Sequence, residues 1–162
     1  MSQTAPLRYE NSFVWVATDA FAAYFSYFRE ALGVSASAND PWVSEVREKL
    51  IGSVAAPPEL GVFLHGLSDE QRIVLNDAAA EARRRAITTG DLDRDTLASW
   101  RVDEHEFPIH LRYGDVLTVE RLIEVADAFE AMLEDRLPPP PPYERWFVGA
   151  GTPGTTIGSR VP

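Results

Sequence analysis

The sequence predicts an α+β fold, mainly helical, with four or five helices around an aromatic central helix and a small sheet or hairpin. Three observations predict it. Phe21, Tyr24, Phe25, Phe28 and Leu32 recur at helical spacing. Helix start and stop signals punctuate the chain at Asp40-Pro41, at Ser68 with Gln71, at Thr118, and at Gly33 and Gly90. Strand-like runs are few and short: Phe13 to Ala17, Gly61 to Gly66, and the segment 104–113. An all-α fold is the alternative.

Residues 1–12 carry no clear period and read as irregular, and FVWVA at 13–17 reads as a strand or a helix start. Helix 19–32 follows. Thr18 is placed to cap it, Asp19 suits the positive end of its dipole, and Gly33 stops it. Asp40 then Pro41 marks a cap and first turn, and Val43, Val46, Leu50 and Val54 give helix 41–54 its apolar face. AAPPELG ends that helix, and GVFLHG is a strand or a helical turn. Ser68 and Gln71 form a capping box that opens helix 69–88, with Ile73, Asn76, Ala80, Arg83 and Ile87 on one side and Val74 and Ala78 widening it. A short helix capped by Asp93 turns Leu97 and Trp100 inward. A long helix, 119–136, carries the apolar stripe Leu122, Val125 or Ala126, Phe129, Met132 and Leu133.

With 162 residues the chain fits one domain. The division read from composition is a mainly helical acidic domain over 1–137 and a tail over 138–162. The tail opens on five prolines that impose an extended polyproline II arm and continues into a glycine-rich end. Trp146, Phe147 and Val148 are its apolar anchor, able to dock on their own domain or on a neighbouring copy.

There is no cysteine, which excludes disulfides, thiolate metal sites and a cysteine nucleophile. The N-terminus lacks the basic-then-apolar order of a signal peptide, and the most apolar stretch is too short to span a bilayer. A cytoplasmic location is the expectation. Net charge is −10, and residues 91–135 hold 13 acids against 4 arginines. Such a block repels nucleic acid and anionic membranes and attracts a basic partner.

The segment DEHEFPIHLRY, 103–113, holds two of the three histidines and is the richest in reactive groups. Read as a strand, it puts His105, Phe107, Ile109, Leu111 and Tyr113 on a buried face and Glu104, Glu106, Pro108, His110 and Arg112 on a wet one. The two histidines then oppose each other and do not chelate one ion, and their spacing is not the i, i+4 pairing of a zinc protease. No metal or cofactor is predicted. On the wet face His110 and Glu106 could form an acid–base pair, with Arg112 for an anionic substrate and His65 as a distant partner. The simpler reading is a charged edge strand that discourages aggregation. Asp91, Asp93 and Asp95 miss the calcium-loop pattern, because Thr96 and Val102 stand where glycine and glutamate are required.

Three function classes follow, and the reading leans away from an enzyme. The first is an acidic interaction module for a basic protein partner, an inhibitor, immunity-like protein or accessory subunit. It would use Glu120, Glu124, Asp127, Glu130 and Asp135 on helix 119–136, with Tyr143, Trp146 and Phe147 of the tail. The second is a small-molecule enzyme built on His110, Glu106, Arg112 and His65. The third is a self-assembling protein, a homo-oligomer joined through its C-terminal arm. The charge distribution favours the first.

Overall fold

The computed structural model describes residues 4–112, 114–138 and 146–151. Tyr143, Tyr113 and most of the polyproline arm lie outside them. The fold is mixed α+β and mainly helical, with an aromatic cluster centred on one helix.

That helix is α1, Thr18–Gly33, buried without a break from Thr18 to Arg29. A helix buried on every side is a central helix. Around it pack α2 (Pro41–Ala55), α4 (Asp69–Thr89) and α6 (Val119–Leu133). Two short helices, α3 (Pro57–Leu60) and α5 (Arg94–Ala98), link the long ones to strands. Phe25, Phe28 and Tyr24 of α1 meet Phe129 of α6 edge to face, with ring centroids 5.3, 5.1 and 6.2 Å apart.

The capping box forms as the sequence predicts: Gln71 N–H donates to Ser68 Oγ at 3.1 Å, and Ser68 N–H donates to Gln71 Oε1 at 3.0 Å. Asp93 Oδ1 accepts from Thr96 N–H at 2.7 Å and caps α5. Three predicted caps differ: Asp40 holds the cap position of α2 without a side-chain bond. Thr18 is already helical, so Ala17 holds the cap position of α1. Thr118 holds that of α6 without a side-chain bond, and Asp91 caps this helix instead, accepting from Val119 N–H at 2.8 Å.

The buried stripe of α4 shares only Ala78 with the predicted one. It runs through Leu75, Ala78, Ala79, Ala82 and Ala86, and leaves Ile73 and Ile87 exposed. Alanines let α4 approach α1 and α6 closely, and that close packing outweighs the burial of two isoleucines.

The main sheet has four strands in the order β3-β1-β2-β8. Strands β1 (Thr4–Tyr9) and β2 (Ser12–Ala17) form an antiparallel hairpin, so the N-terminus is not irregular. Strand β3 (Val62–Leu64) runs parallel to β1 at one edge. Strand β8 (Phe147–Val148) runs parallel to β2 at the other. Ala5, Leu7, Tyr9, Val14, Val16, Val62 and Val148 are buried and alternate with partners of higher exposure such as Arg8 and Phe63. The anchor of the tail docks on its own domain. Trp15 N–H donates to the Trp146 carbonyl at 2.8 Å, and Trp146 and Val148 are buried.

The segment 103–113 is not the predicted strand. Among its described residues only β6 (His105–Glu106) pairs as a strand, with β5 (Arg101–Val102), in a two-residue ladder. Phe107 extends this pairing by one bond, Pro108 ends it, and the donors beyond go elsewhere. Phe107 N–H donates to Trp100 C=O and Ile109 N–H to Leu97 C=O, each at 2.9 Å. Arg112 N–H donates to Asp19 Oδ2 at 2.9 Å. The segment therefore wraps α5 and the start of α1. A second small ladder joins β4 (Leu92–Asp93) to β7 (Val116–Leu117).

Candidate functional site

Helix α2 ends where Pro57 and Pro58 follow Ala56, and α3 carries the chain back toward the sheet. Gly61 makes the turn at φ 57°. A Cβ there would sit 2.4 Å from the Pro6 carbonyl oxygen, so only glycine passes. The chain then enters β3 along the open edge of the sheet. Among the described residues β3 is held only on its β1 side, and a groove of about 770 Å³ lies between it and α2.

Trp42, Val46 and Leu50 form the helical wall of this groove, Leu60, Phe63 and Leu64 the opposite wall, and Leu67 lies at its end. Leu60 and Phe63 are each 52% exposed, two of the few large apolar side chains among the described residues that face solvent. Glu45, Glu48, Lys49 and His65 supply the charged and titratable groups. Lys49 is paired with Glu45 at 2.8 Å, which leaves Glu48 without an ion pair among the described residues.

The four residues of the catalytic reading are not gathered here. His65 lines the groove, whereas Glu106, His110 and Arg112 do not. Glu106 is ion-paired with Arg101 at 3.1 Å, and His110 is exposed. Among the described residues no group of three or more acids and histidines is placed to hold a metal ion.

The acids of α6 divide by location. Glu120 is exposed, and so is Asp135, which the sequence places on the helix but which lies past its end at Leu133. Asp127 and Glu130 are both ion-paired with Arg83 of α4, whose Nε donates to Glu130 at 3.1 Å. Glu124 is half-buried and accepts from the backbone N–H of Gly149 at 2.7 Å. Beside it lies a buried ion pair of Asp19 and Arg121, and Arg121 Nε donates to the Gly149 carbonyl at 2.7 Å. Gly149, at φ 87°, fits against Ala20 and Val125, where a Cβ would come within 3.1 Å of both. Three acids that look like partner surface in the sequence thus serve internal contacts.

Burial pushes the Glu124 carboxyl above its ordinary value, and the Gly149 N–H offsets this only partly. A carboxyl raised in the folded state favours folding most below its unfolded pKa. That contribution is lost as pH rises through the folded value. Asp103, Asp93 and Glu81 are shifted downward and work in the opposite sense, so a difference measurement is needed. The melting temperature of the natural chain minus that of Glu124→Gln should rise as pH falls from neutral into the carboxylate range. A flat or falling difference would show that the hydrogen bond, not desolvation, governs this group.

The fold and groove define a class: an α+β protein with an apolar cleft between a helix and an open sheet edge. No family model matches the chain, and searches of curated proteins and of solved structures find no significant match. No helix among the described residues is long and apolar enough to cross a membrane.

Proposed function

We propose that this protein is an interaction module that binds a protein partner, with the groove between α2 and β3 as its docking surface. The observation that carries this reading is the pairing of exposed Leu60 and Phe63 with an apolar cleft at an open sheet edge. Apolar side chains grouped in a groove and rimmed by charge are what a partner covers. The net charge of −10 supports a basic partner, since a field of that sign raises its encounter rate. The internal contacts of Glu124, Asp127 and Glu130 move the expected contact from α6 to the groove.

The reading is tested by site-specific photo-crosslinking in the cell of origin, with the photoreactive residue in place of Phe63 or, separately, of Glu120. A defined protein crosslinked from position 63 but not 120 is expected. Rebuilt from purified components, its binding should weaken at least tenfold with Leu60→Asp while the melting temperature holds. A partner that crosslinks only from position 120, or that binds Leu60→Asp equally well, would return the interface to α6.

A further inference from the structure

Resting on the groove as the docking surface, we infer that the partner enters it as an extended segment that adds a strand to β3. The segment carries apolar side chains at alternate positions and a lysine or arginine.

The ladder supplies the first argument. Strand β3 pairs with β1 in parallel, with Leu7 opposite Val62, Arg8 opposite Phe63 and Tyr9 opposite Leu64. Glu10 N–H donates to the Leu64 carbonyl at 2.9 Å. In a parallel ladder alternate residues direct both peptide groups to the same neighbour. Val62 and Leu64 therefore spend theirs on β1, and Phe63 turns its N–H and C=O outward, into the groove. An edge with unspent peptide groups accepts another strand, and main-chain hydrogen bonds then give affinity while side-chain pockets select sequence.

The second argument is the shape of the walls. An added strand alternates its side chains between faces. One set falls toward Trp42, Val46 and Leu67, which are partly buried and already packed on the core. The other set falls beside Phe63. A helical ligand would need a groove open to its full width, and here one wall is a strand that offers backbone groups as well as apolar surface.

Charge decides the occupant. With Lys49 held by Glu45, Glu48 is the rim charge left to engage a ligand. A second copy of this chain would bring a further −10 to the same acid-rimmed edge, so self-pairing is opposed. A cationic residue in the ligand meets Glu48 with the favourable sign.

The probe is a random dodecapeptide display library selected against the full chain, followed by synthesis of the best binder and of its single N-methyl derivatives. Selected sequences should show apolar residues at i and i+2 with a lysine or arginine. N-methylation at every second residue should weaken binding at least tenfold and leave the intervening positions unchanged. Glu48→Lys should weaken the cationic binder severalfold. Binding that is lost in Leu60→Asp but tolerates N-methylation throughout, or a binder with i, i+3, i+4 apolar spacing, would overturn strand addition and leave the groove reading intact. Failure to select any binder, or binders indifferent to Leu60→Asp, would overturn both.

Discussion

Replacing Arg121 with alanine is expected to lower the unfolding free energy by about 3–5 kcal/mol, the cost of leaving one member of a buried ion pair alone. Asp19 and Arg121 are 1% and 3% exposed. Asp19 also accepts the backbone N–H groups of Ala20 and Arg112, and Arg121 holds the Gly149 carbonyl. One pair thus ties together the start of α1, the segment before Gly114, the first turn of α6 and the chain beyond β8. Without the guanidinium, the buried carboxylate and the Gly149 carbonyl both lose a partner. The comparison is Arg72→Ala, which removes an exposed, solvent-screened ion pair with Asp69 and should cost far less. Arg121→Lys should fall between, because one ammonium lacks the planar fork that reaches two acceptors. Urea denaturation of the three variants gives the order. If Arg121→Ala and Arg72→Ala cost the same, burial of the pair contributes nothing, and the tail strand is held by its ladder with β2, the Glu124–Gly149 hydrogen bond and its apolar side chains.

This hub was only half legible in the sequence. Asp19 reads as an ordinary acid at a helix N-terminus, and nothing local reveals that an arginine 102 positions later lies against it. What is legible follows from local rules. The aromatic period of α1 and the capping box at Ser68 depend on residues within two turns, and both form as read. Strand β1 was hidden because Pro6 breaks its pattern. Pro6 faces Trp15, whose N–H points to Trp146, and it precedes the first residue paired with β3, so no ladder bond is asked of its missing N–H. The face of α4 was misread because isoleucines carry a stronger apolar signal than alanines, although close helix packing favours the smaller side chain. The groove was the least legible feature. GVFLHG is visible as a short apolar run, but its place at a sheet edge depends on a parallel partner about fifty residues earlier. For the same reason the acids of α6 look free until Arg83 and Gly149 are placed beside them.

The other large effect is expected at Phe129. Phe129→Ala should cost about 3–5 kcal/mol, the range for removing a ring from a packed core. The side chain is fully buried and meets three rings of α1 at once, each near perpendicular or steeply tilted. Edge-to-face pairs add about 0.5–1.5 kcal/mol beyond the area they bury. Collapse into the space is opposed from both sides, because α1 is packed along its whole circumference and α6 is tied to α4 through Arg83. Phe129→Leu should recover about half of the loss by refilling volume without the ring contacts. Phe63→Ala serves as the control, since a half-exposed edge residue should change stability by no more than about 0.5 kcal/mol. Thermal and urea unfolding of the three variants separate these cases. A loss below about 2 kcal/mol for Phe129→Ala would mean that α6 shifts to close the cavity, so that the α1–α6 contact tolerates movement. The rigidity of the core would then rest on α4, whose alanines leave no slack to take up.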